Sequence, residues 1–162
     1  MTKKRKERIM YKQVKEIIEI IRAFHFDLGS YYFLLKDKAG DQRACMMLDY
    51  LSRREEYIAE YLEKYLHDAK EKALNVWIKH VPCLPNDVFA HCLEELEIVP
   101  PLYVDDILDI AMQYDDCLVR FFSALVDETE STRAKDIFSN LLNAARKEEM
   151  KLSQNTLWLN DL

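Results

Sequence analysis

Apolar residues recur along this chain at alternating three- and four-residue steps, the spacing that places side chains on one face of an α-helix. The clearest stretch is residues 44–66, where Ala44, Leu48, Leu51, Ile58, Leu62 and Tyr65 form a stripe interrupted by one acid, Glu55. A carboxylate on an apolar helix face must be desolvated at a cost, paired, or bound to a cation. The same periodicity predicts three further long helices. The first covers about residues 9–35, with Val14, Ile17, Ile18, Ile21, His25, Leu28, Tyr32 and Leu35 toward the core and Gly29 a weak point that packing can tolerate. Gly40 stops that helix and Asp41 suits the N-cap of the next, a link short enough to make the two antiparallel.

The third predicted helix covers about 104–126, with Leu108, Ala111, Asp115, Leu118, Phe122 and Leu125 on one face. Ser131 or Thr132 then caps a fourth, carrying Ala134, Phe138, Leu141, Ala145, Glu148 and Leu152, and Trp158 between two leucines marks a docked C-terminal end. Between the two pairs the pattern changes. Residues 70–82 read as a short helix stopped by Pro82, and 91–99 as another, capped by Asn86 or Asp87 and stopped by Pro100 and Pro101. A connection this long is a crossover rather than a turn. The expected organisation is one all-α domain: a flexible basic tail (1–8), a hairpin (about 9–66), a crossover (67–103) and a second hairpin (about 104–157).

Composition sharpens this picture in three ways. With 162 residues the chain can bury a core without disulfides, and only 2 Gly and 4 Pro leave too little punctuation for a sheet-rich domain. The net charge of −6 falls on the body of the chain, since residues 1–10 hold five basic side chains and one acid; an acidic body disfavours nucleic acid as a partner. No run approaches the ~18 apolar residues of a membrane span. Cys45, Cys83, Cys92 and Cys117 form no C-x-x-C pair, and in the absence of an export pattern they are expected to be reduced thiols in a cytoplasmic protein.

The two hairpins also match each other at a constant offset of 90 residues: Leu28, Tyr31, Tyr32 and Leu35 fall on Leu118, Phe121, Phe122 and Leu125, and Arg43, Ala44, Leu48, Leu51 and Leu62 on Arg133, Ala134, Phe138, Leu141 and Leu152. One offset serving both helices and the turn between them implies an internal repeat about a pseudo-twofold axis. Each helix then places one ionisable residue on its core face: His25, Glu55, Asp115 and Glu148. His25 and Asp115 are equivalent under the repeat, whereas Glu55 and Glu148 are offset by about one turn, ~4.5 Å.

Two helical hairpins joined by a long crossover, with carboxylates facing the bundle centre, resemble the ferritin-like superfamily and especially its rubrerythrin-type members. The resemblance implies an antiparallel four-helix bundle with a Glu seven residues before an aromatic on the first and third helices, and Glu-x-x-His on the second and fourth. Here Tyr32 and Leu35 put His25 in the first of those positions, and Phe122 and Leu125 put Asp115 in the third. The second helix keeps Glu55 but has Ile58 for the His; the fourth has Ala145 for the Glu and Glu148 for the His. A di-iron centre needs about six protein ligands. The reduced set His25, Glu55, Asp115 and Glu148 suffices at most for one divalent metal, iron or zinc, without di-iron oxidase chemistry. The alternative expectation is a metal-free interaction or dimerisation module with an eroded site.

Two weaker features complete the sequence. His80, Cys83, His91 and Cys92 have zinc-compatible side chains but no zinc-module spacing. Tyr57, Tyr61 and Tyr65 form an aromatic row at four-residue steps that needs cover, either from Trp77, Ile78 and Phe89 of the crossover, the favoured reading, or from a second copy of the chain. A homodimer is the expected assembly, with no nucleic-acid or membrane partner. No phosphate loop, nucleophile elbow or nucleophile and base pair points to an enzyme.

Overall fold

The computed structural model describes residues 11–69, 72–81 and 97–160, with side chains to residue 154. Four helices carry the fold: α1 (Val14–Leu35), α2 (Gln42–Asp68), α3 (Val104–Glu128) and α4 (Thr132–Asn160). Between α1 and α2 lies one 3-10 turn, Lys36–Lys38, and after α2 come a second, Lys72–Asn75, and a short strand. Among the described residues no helix is long and apolar enough to cross a membrane.

The first helix starts at Val14 rather than near residue 9, because Lys12–Gln13 (β1) pairs antiparallel with Trp77–Ile78 (β2) and the Val14 amide donates to the Val76 carbonyl at 3.0 Å. Two-residue strands have no periodicity to reveal them, and β2 with its preceding 3-10 turn stands where a short α-helix was expected. Within α1 the eight expected core positions are all buried. Asp41 caps α2 through its side chain, which accepts from the Ala44 amide at 2.8 Å. The α3 start is held by Asp106, which accepts from the Tyr103 amide at 2.9 Å.

α1 packs along α2 and α3 along α4, while α2 also meets α3. Contacts between α1 and α2 run in opposite directions along the two helices: His25 reaches Glu55, Gly29 lies against Ser52, and Lys36 reaches Asp49. Gly29 is therefore a close-approach point. A Cβ there would stand 3.2 Å from the Ser52 carbonyl oxygen, and the Ser52 hydroxyl donates to the Gly29 carbonyl at 2.8 Å. Gly40 has an ordinary negative φ, so conformational freedom is not its role. A Cβ would stand 2.7 Å from the Tyr103 ring, and the Gly40 amide donates to Leu102 while the Leu102 amide donates to Lys38. These two bonds tie the chain entering α3 to the turn between α1 and α2.

The core is continuous through all four helices, with Tyr32, Leu48, Ile107 and Phe138 fully buried. Burial of one such large apolar side chain contributes about 1.5–3 kcal/mol before entropy is counted. Tyr114 of α3 stacks edge-on against Tyr31 and Tyr32 of α1, with ring centroids 6.3 Å apart in both cases. On α4, Leu142 takes the buried position expected of Leu141, which is half-buried. Tyr57 and Tyr61 remain exposed, as does Trp77, so β2 does not cover the aromatic row; Phe89 lies outside the described residues.

Cys45 is a free thiol, whereas Cys117 is disulfide-bonded, against the expectation of four reduced cysteines. The compartment inferred from reduced thiols loses support at that position. The basic tail, residues 91–96 of the expected second crossover helix, Cys83, His91, Cys92 and the side chain of Trp158 lie outside the described residues; residues 97–99, expected to end that helix, are not helical, and His80 is exposed.

Candidate functional site: a buried charge network beside an apolar cavity

His25, Glu55 and Asp115 project from three different helices into one buried cluster. Helical register brings each inward, because each occupies a stripe position one turn from fully buried apolar neighbours, Ile21 for His25, Leu51 for Glu55 and Ala111 for Asp115. What joins them is a residue that the stripe does not contain. Arg54, one position before Glu55, turns its side chain into the bundle until it is only 8% exposed.

The guanidinium is the centre of the cluster. Its Nη2 donates to Glu55 Oε1 at 2.7 Å and to Asp115 Oδ1 at 2.8 Å, while Nη1 donates to Asp115 Oδ2 at 3.3 Å and Nε to Glu55 Oε1 at 3.0 Å. The second Glu55 oxygen, Oε2, lies 2.5 Å from His25 Nδ1. Every oxygen of both buried carboxylates is thus engaged by nitrogen. The planar fork of arginine suits this task, since it can serve two carboxylates at once.

The electrostatics follow from that geometry. Burial acts to raise the Glu55 pKa, but the neighbouring His25 and Arg54 outweigh it and hold the carboxyl below its ordinary range. For Asp115 burial wins: despite Arg54, and with Glu55 adding repulsion, its carboxyl is pushed up to about 6. Burial alone would lower Arg54, yet Glu55 and Asp115 together keep the guanidinium more firmly protonated than usual. Tyr32, fully buried nearby, has its phenol pushed up first by burial and then by the Glu55 charge.

Glu148 does not join the network. It pairs with Lys151 at 3.1 Å along its own helix and its side chain is 28% exposed. It does border the same space, because a cavity of about 320 Å³ lies between α2 and α4 with His25, Arg54, Glu55 and Asp115 at one side and Lys147, Glu148 and Lys151 at another. Its remaining walls are mainly apolar, including Ile21, Ile58, Leu62, Leu118 and Phe122. Ile58 of α2 and Ala145 of α4 are both cavity wall.

Three of the four sequence-derived candidates therefore converge, one stands at the cavity edge, and the organising residue was missed. The available signal was electrostatic rather than periodic: two acids facing one core from different helices need a cation, and Arg54 is adjacent to one of them. Among the described residues, no group of three or more His, Cys, Asp or Glu side chains is arranged to hold a metal ion. Comparison with family models, curated proteins and solved structures finds no match for this chain.

Proposed function

We propose that this protein is a ferritin-like helical bundle in which a guanidinium-centred charge network stands where related bundles hold metal, and that it functions by binding a small apolar molecule in the adjoining cavity. The observation that carries this reading is the cavity itself: an apolar space of about 320 Å³ with four buried polar side chains along one side. Support for the ferritin-like part comes from His25 and Asp115, equivalent under the 90-residue offset and both contributed to one central cluster.

Arg54 is the reason for preferring a metal-free site. A divalent cation at His25, Glu55 and Asp115 would have to displace a guanidinium already bonded to both acids, leaving a second buried positive charge beside it. The cavity also lacks a serine, threonine or cysteine nucleophile. Among its described lining residues there is no Ser, Thr or Cys, so the His25–Glu55 pair has no aliphatic hydroxyl or thiol beside it to activate for acyl transfer.

The test uses 1-decanol as an uncharged probe, followed by calorimetry and by thermal melting of the full chain. Wild type is expected to bind it saturably with a rise in melting temperature, and Ala145→Phe, which projects a ring from the cavity wall, is expected to abolish binding without unfolding the protein. Absence of binding to wild type, or equal binding to a folded Ala145→Phe variant, would overturn the proposal.

A further inference from the structure

The cavity beside Arg54 has a neighbour at Tyr61. A second, wider groove of about 780 Å³ shares three wall residues with it, Tyr61, Leu62 and Leu141, so the two adjoin along α2 and α4 and together outline a slot. Along α2, the slot extends from Arg54 to Tyr65, which corresponds to about 16 Å of helix.

The two ends differ in charge. At the inner end three acids, Glu55, Asp115 and Glu148, face three cations, Arg54, Lys147 and Lys151, with His25 on Glu55; Arg54 is bonded to both buried carboxylates, Lys151 pairs with Glu148, and exposed Lys147 makes no ion pair with a described residue. An anionic group there would meet two buried carboxylates. At the outer end Lys72 and Arg133 stand against one acid, Asp136, and neither cation makes an ion pair with a described residue. Asn140 and the Tyr61 side chain add polar groups at the same end. The slot is therefore electrically balanced and mainly apolar inside, and carries one excess positive charge outside.

We infer that the occupant of this slot is a single-chain fatty-acid carboxylate, its hydrocarbon chain lying in the inner cavity and its headgroup held by Lys72 and Arg133. A monoanion matches the single excess charge, and arginine can take a carboxylate with two parallel hydrogen bonds. The inference rests on the reading of the inner cavity as a binding site and adds the class of ligand and the direction in which it lies.

Decanoate, 1-decanol and decyl phosphate, each below its micellar concentration, distinguish the two levels of the claim when titrated calorimetrically into the full chain. Decanoate is expected to bind about tenfold more tightly than 1-decanol. The Lys72→Ala/Arg133→Ala double variant, altered only at exposed side chains, is expected to lose that preference while binding 1-decanol as before. Lys147→Ala is expected to leave the preference intact. Equal affinity for decanoate and 1-decanol, a preference that survives the double variant, one that disappears in Lys147→Ala, or tighter binding of decyl phosphate than of decanoate would each overturn the headgroup assignment while leaving the apolar site standing. Failure of all three probes to bind would overturn both.

Discussion

Arg54 of α2 and Asp115 of α3 hold each other across the bundle core through two hydrogen bonds, 2.8 and 3.3 Å long, with both side chains under a tenth exposed. The same guanidinium binds Glu55, whose other oxygen meets His25, so one residue bridges the two acids that a helical bundle would otherwise present to a cation. Removing a single member should therefore be far worse than removing all of them. Arg54→Met leaves two buried carboxylates facing each other and is expected to cost about 3–5 kcal/mol in urea unfolding. The triple variant Arg54→Met/Glu55→Leu/Asp115→Leu should recover most of that loss, because both buried carboxylates go with their cation and only the His25 imidazole is left without its acceptor. A triple variant no more stable than Arg54→Met alone would show that the network does more than neutralise itself.

Stability should also depend on pH through Asp115. Burial pushes this carboxyl from the usual 3.8 up to about 6, so the folded state binds its proton more tightly than the unfolded chain does. The resulting stabilisation is complete below pH 3.8 and is lost as pH rises through 6. Glu55 has the opposite sign: its lowered pKa gives a contribution present above the ordinary carboxylate range and lost in acid. Comparison with Asp115→Asn isolates the contribution of the aspartate. Between pH 5 and 7.5, wild type should lose about 1–2 kcal/mol relative to Asp115→Asn. Parallel stability curves for the two proteins over that range would count against a raised Asp115.

Gly40 provides a test of packing outside the core. Its missing Cβ leaves room for the Tyr103 ring, at 2.7 Å, and for Pro101, at 3.1 Å. Gly40→Ala should destabilise the protein by about 1–3 kcal/mol by pushing the start of α3 away from the turn before α2. The half-exposed Tyr103 ring is the nearest obstacle, so Gly40→Ala/Tyr103→Ala should cost less than the two single substitutions added together. Strict additivity in a double-mutant cycle would refute the steric account.

Much of this architecture follows from periodicity. The buried faces of α1 and α3, the Asp41 cap and the inward direction of His25, Glu55 and Asp115 are all set by local register, which a helical repeat expresses directly. Arg54 was not legible in that way. It sits on the flank of the α2 stripe, and only its long side chain brings the charge inward, so its burial depends on where α3 places Asp115. Glu148 shows the converse case: it keeps helical register with Leu152, but it pairs with Lys151 on its own helix and stands at the cavity edge. The β1–β2 pair was equally hidden, since two residues of strand contain no alternation to count and their partners are more than sixty residues apart.

The central claim is that the cation in this bundle is the Arg54 guanidinium and not a metal, and metal binding by the purified full-length chain tests it most directly. Elemental analysis together with thermal melting in ferrous iron, zinc and chelator is expected to find no stoichiometric metal and an unchanged melting temperature in all conditions. One iron or zinc per chain, with a rise in melting temperature that vanishes in Glu55→Gln or Asp115→Asn, would contradict it.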